Sequence, residues 1–497
     1  MNKRFLSDTL QVGGVTLISR VFGFARDLLI AKVLGAGRIA DAFFVAFKIP
    51  NLFRAMFAEG AFNSVFVPGF THELKKNNAS AGAYAKNIFA FLFYFLLAFT
   101  VLAEVFMPYL VGTFAPGFSA DAEKFALATD LARIIFPFLM LVAITSFFGS
   151  ILNSIGLFAP YAATPIILNI CMITAAIMAA AEGAMAAKWI AWGVSISGVI
   201  QLVMLWSIAA RHGFGGISLR PRITDGARRF FSNIGPGIVS AGVYHIQILV
   251  GSIFAAAENG ATSWIYYADR LVQLPLGVIG AAVATVLLPS MARHEEERST
   301  SLFNSSLVFT AALILPATVL LYLLASPIVG IFFESGEFKA SDTLATARAL
   351  QILAIGLPAL VASRLFVNIF YARQDTRTPM RIACIALAAH FAATWVLSKE
   401  FGYLGIAAAV SISNWLTLAG LWFASWRKKL MRIRLASLGR MAGIATVAAG
   451  LGYVLYRNMP SFHKGFWPDF GALAVIGLAY AALYAALAWA FVEKEKC

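Results

Sequence analysis

Ionisable side chains occur inside apolar stretches of this sequence, where a charge is costly. At the centre of a membrane helix an Arg or Asp costs about 2.5–3.5 kcal/mol, so such a group normally faces a water-filled cavity or a charged partner. Guanidinium groups also bind phosphates through forked, charge-assisted hydrogen bonds. The arginines therefore predict a cationic cavity whose chemistry suits a lipid diphosphate headgroup. The charged set comprises Arg20, Arg26, Asp27, Asp41, Lys48, Arg54, Glu59, Asp269 and Arg270.

Helical spacing limits which of these side chains share a face. Arg20 and Asp27 are seven residues apart and lie on one face of a straight helix, whereas Arg26 lies off it. Gly23 between them permits a bend that brings both guanidinium groups to one cavity. Adjacent residues do not face each other on a helix, so we expect Arg26 and Asp27 to find partners elsewhere.

Two simpler interpretations of these charges stay open. An arginine or lysine near the end of a membrane helix is usually an anchor that extends to the membrane surface. The neighbouring charges at Arg26 and Asp27, and at Asp269 and Arg270, also fit purely structural ion pairs.

The elements that must position these charges are membrane helices. Of the 497 residues, 60% are hydrophobic and 13% are charged, whereas soluble domains are about 45–50% apolar and about 25% charged. The net charge of +15 usually suggests a nucleic-acid partner, but so apolar a chain has no polar scaffold to carry a basic face. Three scattered cysteines do not form a disulfide framework or a zinc site. The composition therefore predicts a polytopic membrane protein that binds no nucleic acid.

Hydropathy predicts about fourteen spans, since a membrane helix needs roughly 20 mostly apolar residues. Lys and Arg concentrate in every second connection, which the positive-inside rule assigns to the cytoplasm. An odd number of spans would break this alternation, so both termini are predicted to be cytoplasmic. The predicted spans lie near residues 5–34, 40–68, 84–112, 127–152, 160–181, 189–209, 230–256, 263–291, 303–333, 344–370, 380–398, 404–425, 438–457 and 468–491.

An internal repeat relates the first six spans to the next six. Residues 191–197 (Ala-Trp-Gly-Val-Ser-Ile-Ser) recur as residues 407–413 (Ala-Ala-Ala-Val-Ser-Ile-Ser), and shorter matches keep nearly the same offset. Six is an even number, so both halves face the same way, as in transporters built from parallel repeats. We predict an all-α fold with two six-helix lobes and a binding site at the interface between them. The predicted parts are residues 1–212 and 213–430 for the lobes, and residues 431–497 for two additional helices.

The sequence carries no motif for catalysis or for nucleotide hydrolysis. Walker A, His-Glu-x-x-His and nucleophile-elbow patterns are absent from it. We therefore predict that the protein is not an enzyme and uses no cofactor or metal ion. Transport would be driven by an ion gradient, by the membrane potential or by substrate production.

The charged segments resemble those of the MurJ (MviN) family. Residues 20–27 read Arg-Val-Phe-Gly-Phe-Ala-Arg-Asp, and residues 41–54 read Asp-Ala-Phe-Phe-Val-Ala-Phe-Lys-Ile-Pro-Asn-Leu-Phe-Arg. Residues 264–271 read Trp-Ile-Tyr-Tyr-Ala-Asp-Arg-Leu. The resemblance covers essentially the whole chain, since further matching stretches lie at residues 35–37, 57–62, 67–68, 115–118 and 371–375.

The resemblance implies a flippase that moves lipid II, the undecaprenyl-diphosphate-linked precursor of peptidoglycan, across the bacterial cytoplasmic (inner) membrane. It implies alternating access, the fold of the multidrug/oligosaccharidyl-lipid/polysaccharide exporter superfamily, and a lipid-tail groove formed by the last two helices. The implied partners are lipid II, membrane lipids and proteins of cell-wall synthesis or division.

The resemblance also implies roles for particular residues. The substrate-binding set, which matches the cavity arginines of the family by position, comprises Arg20, Arg26, Arg54 and Arg270. The gate or coupling set comprises Asp27, Asp41, Glu59, Ser263 and Asp269, of which Asp41 and Ser263 match residues of the periplasmic gate. Some relatives carry an acid three residues after the last arginine, where this chain has Gln273, which argues against an ion pair there.

Three other functions compete with this interpretation. A flippase of the same superfamily for another polyprenyl-diphosphate-linked glycan fits equally well, because the sequence does not show sugar specificity. A multidrug antiporter of cationic compounds fits less well, since such a cavity would need acids without paired cations. A membrane scaffold without transport is the alternative from a different class.

Overall fold

The computed structural model describes residues 3–54, 62–179, 183–228, 230–232, 249–291, 296–373, 375–428, 439–441, 443–447, 450, 454 and 466–493. Throughout these ranges the chain is helices, turns and short connections, with no strand. The prediction of an all-α fold is confirmed. The chain divides into two compact units, residues 1–263 and residues 264–497.

The first unit is built from α-helices, and further helical residues lie at 225–228 and 249–255. The numbered helices are α1 Lys3–Leu34, α2 Arg38–Arg54, α3 Phe62–Lys76, α4 Asn78–Val105, α5 Met107–Phe114, α6 Ala122–Ile135, α7 Pro137–Ser154, α8 Ala159–Ala162, α9 Thr164–Met178 and α10 Ala184–Arg211. Helix α2 packs against α6 and α7, α1 packs against α9, and α10 packs against α7 and α9.

Local sequence explains where several of these helices begin. Asn77 caps α4 by accepting a hydrogen bond from the backbone N of Ser80 at 2.7 Å, since the first amides of a helix lack intrahelical partners. Pro108 and Pro137 lie in the first turns of α5 and α7, where a missing N–H costs nothing. The predicted span at 84–112 is therefore two helices, because a second one starts at Met107.

A cluster of phenylalanines forms an apolar core in the first unit. Phe62, Phe66 and Phe70 project from α3 at intervals of four residues. Phe62 and Phe66 contact Phe147 of α7, which in turn contacts Phe89 of α4. These side chains are buried within the bundle. The core therefore joins α3, α4 and α7.

The second unit contains long helices and one short helix within its described residues. The numbered helices are α11 Ala261–Met291, whose first three residues belong to the first unit, α12 Glu296–Leu323, α13 Ala325–Phe333, α14 Ala340–Ala372, α15 Arg377–Arg427 and α16 Phe466–Glu493. Helix α14 packs along α12, α13 and α15, and α16 contacts α12 and α13. Gly402 has φ 55° and ψ −135°, a conformation that side chains other than glycine strongly disfavour, and it joins the predicted spans 380–398 and 404–425 into α15.

The prediction of a membrane protein is confirmed. Among the described residues, seven helices are long and apolar enough to cross a membrane. The count of fourteen spans stays a prediction, since much of the predicted spans near 230–256 and 438–457 lies outside the described residues. The lobe boundaries after residues 212 and 430 also stay a prediction.

Candidate functional site

Asp41 is a fully buried carboxylate near the start of α2 and accepts four hydrogen bonds. Its Oδ1 accepts from the backbone N and the Oγ of Ser263, at 2.9 and 2.7 Å. Its Oδ2 accepts from the backbone N of Gly260 at 2.7 Å and from Nζ of Lys124 at 2.8 Å. Gly260 and Ser263 belong to the first turn of α11 or precede it directly, and a helix N-terminus favours a negative charge. Asp41 therefore caps α11 from a distant part of the chain.

Lys124 supplies the counter-charge to Asp41 and is only 2% exposed. Its Nζ also donates to Oδ1 of Asn259 at 2.9 Å and lies 4.2 Å from the centre of the Phe118 ring. The start of α6 positions it, because Asp121 accepts a hydrogen bond from the backbone N of Lys124 at 3.1 Å. Sequence reasoning missed Lys124, since a lysine beside two acids at the start of a span resembles an ordinary loop charge.

A cleft of about 470 Å³ lies beside this ion pair. Lys124, Asn259 and Ala257 contribute to its lining, as do the acids Asp121 and Glu123. Arg38 at the start of α2 contacts both acids, with its Nη2 2.5 Å from Asp121 Oδ1 and 3.3 Å from Glu123 Oε2. The hydrogen bond from Arg38 is the main reason that the pKa of the Asp121 carboxyl lies below its usual value. The cleft is polar and is open to water.

Arg26 and Asp27 form a buried ion pair with each other. The Nε and Nη2 atoms of Arg26 donate to the same Asp27 oxygen, at 3.0 and 2.7 Å, and both residues are buried. The expectation that these adjacent residues do not pair with each other is therefore wrong, whereas the expected partner elsewhere exists for Arg26, in Asn169. The reason is length: a guanidinium on three methylenes folds back along the helix to its neighbour, although the two Cβ atoms diverge.

Asn169 on α9 holds the other side of the Arg26 guanidinium. Its Oδ1 accepts from Arg26 Nη1 at 2.9 Å, and its Nδ2 donates to the backbone O of Ser19 at 3.1 Å. Gly23 lies next to this amide, and a Cβ at that position would meet Asn169 Nδ2 at 3.4 Å, an ordinary van der Waals contact. Asn169 was also missed by sequence reasoning, because a single amide in an apolar span gives no indication of its partner.

The remaining predicted residues of the first unit differ in exposure. Arg20 is exposed on α1, and Arg54 is half-buried at the end of α2. Arg54 Nε donates to Oδ1 of Asn51 at 3.0 Å, and Asn51 Nδ2 donates to the backbone O of Phe47 at 2.7 Å. Glu59 lies outside the described residues.

In the second unit, Gln273 connects Asp269 and Arg270 on one face of α11. Gln273 Oε1 accepts from Arg270 Nη1 at 3.3 Å, and its Nε2 donates to Asp269 Oδ2. The Arg270 guanidinium also lies 4.6 Å from the centre of the Tyr266 ring, a cation–π contact. The amide at position 273 thus takes the place of an acid as a hydrogen-bond acceptor for Arg270.

In the part of the chain that the structure describes, no group of three or more His, Cys, Asp or Glu side chains is placed so that it could bind a metal ion.

A family model described as lipid II flippase MurJ matches residues 30–479, which include most of the described helices. The chain belongs to the lipid II flippase MurJ family. A protein of Rhizobium tropici named probable lipid II flippase MurJ is 38% identical over 97% of this chain and 92% of its own length.

Solved structures show the same fold as this MurJ-family chain. One, described as lipid II flippase MurJ in an inward closed conformation, has a TM-score of 0.82 at 24% identity and covers 96% of this chain and 98% of its own. A multidrug resistance MATE family transporter of the MOP superfamily, in an inward-facing conformation, has a TM-score of 0.66 at 14% identity. It covers 85% of this chain and 98% of its own. At these identities the likeness concerns the fold.

The MurJ-family chain brings some of its predicted site residues together. Within the first unit, Asp41 bonds to Ser263, and Arg26 bonds to Asp27. Within the second unit, Asp269 and Arg270 share Gln273. Their roles in substrate binding or gating stay predictions, whereas the contacts themselves are features of the fold.

Proposed function

We propose that this chain is a flippase that moves lipid II from the cytoplasmic to the periplasmic leaflet for cell-wall synthesis. The observation that carries the proposal is the match to the lipid II flippase MurJ family over residues 30–479. The charged groups buried in the helices fit this task. Intramembrane charges are expensive and usually mark the path of a polar substrate, and a lipid with a diphosphate headgroup needs cations along that path. Flipping makes and breaks no covalent bond, so the protein is not an enzyme.

The proposed ligands of the diphosphate are Arg20, Arg26, Arg54 and Arg270. Arg20 is exposed and Arg54 is half-buried, so their guanidinium groups are accessible to a headgroup. Arg26 is held by Asp27 and Asn169, so it binds substrate by exchanging one of these partners for a phosphate oxygen. Bidentate contacts of this kind suit a diphosphate, which presents several oxygens at fixed spacing.

We further propose that Asp41 and Ser263 form a gate. In this proposal the hydrogen bonds between Asp41 and Ser263 hold the gate closed, and breaking them opens it. Asp27, Glu59 and Asp269 are the proposed coupling residues, because each is an acid close to a proposed substrate-binding arginine in the sequence. Alternating access requires two states that differ in such contacts.

The proposed location is the bacterial cytoplasmic membrane, with both termini in the cytoplasm and the Asp41 gate on the periplasmic side. The basic ends of α3 and α10, with Lys75, Lys76 and Arg211, support this orientation through the positive-inside rule. Proposed partners are lipid II, membrane lipids and proteins of cell-wall synthesis or division.

Two alternative cargoes are tested by replacing lipid II with another compound in the transport assay. A flippase for another polyprenyl-diphosphate-linked glycan has the same need for cations, and the MATE-like fold relates the chain to multidrug antiporters. Purified protein in vesicles should flip lipid II, and the rate should be measured with and without a membrane potential. Equal rates with an unrelated polyprenyl-linked glycan would favour the first alternative, and export of cationic drugs without lipid II flipping would favour the second.

The arginines are tested in cells depleted of their own flippase. Arg20→Gln, Arg26→Ala, Arg54→Gln and Arg270→Ala should each cause lipid II to accumulate, with flipping reduced on the order of tenfold or more for the loss of a charge-assisted hydrogen bond. Arg211→Gln is the matched control, since this exposed arginine at the end of α10 is outside the proposed site. Normal lipid II translocation by all four variants would refute the proposed diphosphate site.

A further inference from the structure

The ion pair between Asp41 and Lys124 joins two helices that pack against each other, α2 and α6. The other donors to Asp41, the backbone N of Gly260 and the N and Oγ of Ser263, come from a different segment, the start of α11. Lys124 also has partners in both places: it pairs with Asp41 on α2, and it donates to Asn259, which directly precedes α11. The ion pair therefore lies within the α2–α6 pair of helices. The hydrogen bonds to uncharged groups join this pair of helices to residues 259–263.

Separation of residues 259–263 from α2 would affect these contacts unequally. Asp41 would lose three neutral donors and Lys124 would lose one neutral acceptor, while the ion pair between them could persist. A carboxylate buried without donors is very unfavourable, and a buried ion pair is tolerated when its remaining hydrogen-bonding groups are satisfied. The cleft of about 470 Å³ beside Lys124 and Asn259 supplies the space for water to satisfy them.

We propose that Lys124 is a positioning residue for Asp41, which it holds on α2 while the contacts to Gly260 and Ser263 break and re-form. The charge balance then stays within the α2–α6 pair, and the carboxylate remains directed at the N-terminus of α11. Closure of the gate requires only that neutral hydrogen bonds exchange with water. This inference rests on the proposed function, in which the bonds from Asp41 to Ser263 form a gate.

A purely structural ion pair makes a different prediction. If Lys124 only stabilised the fold, replacing both charges with neutral side chains would restore the protein, as often happens for buried pairs. If Lys124 positions Asp41, the neutral pair restores folding but not closure. The backbone N atoms of Gly260 and Ser263 donate to different oxygens of Asp41, so the single oxygen of the Asp41→Asn amide keeps only one of these bonds in this geometry.

A cysteine at position 262 reports on closure without any need for transport. Thr262 is fully buried beside Ser263, and within the described residues its Oγ1 has no hydrogen-bond partner, so Thr262→Cys removes no bond that the structure contains. The three native cysteines are first replaced with alanine. Labelling by a membrane-impermeant maleimide is then followed in intact cells, with protein amounts measured by immunoblot.

The labelling rates of the Lys124 variants distinguish a positioning role from a purely structural one. Lys124→Met should raise the labelling rate on the order of tenfold, since one partner of a buried pair is lost, and Lys124→Arg should stay near the parent rate. The double variant Asp41→Asn/Lys124→Met should reach the parent protein level and still label rapidly. Lys188→Met is the matched control, because Lys188 pairs with Asp130 at 3.3 Å on an exposed surface.

Slow, parent-like labelling of Lys124→Met or of the double variant would overturn the inference. If Lys124→Met is not produced, the double variant decides the outcome: rapid labelling at the parent protein level supports the inference, and parent-like labelling overturns it. Rapid labelling of Lys124→Arg, which keeps the positive charge, would also overturn it. Lipid II flipping by the parent protein is measured in parallel. Absence of flipping would refute the proposed function, while the labelling rates would still report on the role of Lys124.

Discussion

A single carboxylate oxygen of Asp27 accepts two hydrogen bonds from the neighbouring Arg26, from Nε at 3.0 Å and from Nη2 at 2.7 Å. The third contact of the guanidinium, from Nη1 to Asn169, ties α1 to α9. The arginine proposed to bind a diphosphate is thus held on two sides by α1 and α9. Its position depends on residues that do not contact the substrate.

Removing the charge of Asp27 should destabilise the first unit strongly. Asp27→Asn removes the charge that pairs with the buried Arg26, and breaking a buried pair in this way costs about 3–5 kcal/mol. The measurement is thermal unfolding of purified protein in detergent. Replacing both residues, as Arg26→Met/Asp27→Leu, should cost less than the single change, while Lys188→Met in an exposed pair should cost about 1 kcal/mol or less. A double variant less stable than Asp27→Asn would contradict this account.

Loss of the Asn169 amide should impair flipping through Arg26. Asn169→Ala removes a hydrogen bond to a charged group, which contributes about 1.5–3 kcal/mol, and it also frees the Ser19 carbonyl. We expect reduced stability and slower lipid II flipping in vesicles. Asn87→Ala is a suitable control, because Asn87 makes comparable bonds to Arg222 and Thr224 on an exposed surface. Unchanged flipping by Asn169→Ala would show that Arg26 does not need this support.

Gly402 should not tolerate a side chain. Its φ of 55° with ψ of −135° lies in a region that is essentially reserved for glycine, and strain of this kind costs about 1–3 kcal/mol. Gly402→Ala should lower the melting temperature accordingly. Gly471→Ala in α16 should be neutral or stabilising by about 0.5–1 kcal/mol, because its Cβ would meet open space in a helix. Equal melting temperatures for the two variants would refute the role of Gly402.

The connection between α14 and α15 should lose stability in acid. The hydrogen bond from Lys428 is the main cause that holds the pKa of the Asp375 carboxyl well below its usual value, with Thr378 adding further bonds. A depressed carboxyl pKa stabilises the folded state above the unfolded pKa of about 3.9, and this contribution is lost as the pH falls through the folded value. Asp375→Asn should therefore melt earlier than the parent near neutral pH.

The pH dependence provides the check on that prediction. The difference in melting temperature between the parent and Asp375→Asn should shrink as the pH is lowered below about 4. Lys428→Met should show the same convergence, because it removes the other partner. A difference that is the same at acid and neutral pH would assign the effect to packing and not to ionisation.

The sequence alone predicts the class of the molecule well, because that class follows from composition. A membrane helix must be apolar over about 20 residues whatever its neighbours are, so α4, α10 and α14 lie close to predicted spans. The intramembrane charges were also visible, since each is unusual within its own segment. Family membership followed from local runs such as residues 20–27.

Partners could not be predicted, because helical periodicity describes one helix at a time. It indicated that Arg26 and Asp27 do not face each other, and the length and flexibility of the arginine side chain reversed that conclusion. Gln273 was interpreted as the loss of an ion pair, and periodicity did not indicate that its amide would bond to both Asp269 and Arg270.

What the sequence determined by itself is therefore a basic, all-α membrane protein with charges in its spans and the residue runs of the MurJ family. Tertiary structure alone decided that Asp41 caps α11, that Lys124 is its counter-charge and that Asn169 holds Arg26. Lys124 is separated from Asp41 by 83 residues and Asn169 from Arg26 by 143. Contacts over such distances depend on how α2 packs on α6 and α1 on α9, and the hydrophobic pattern that drives this packing does not specify which polar groups meet.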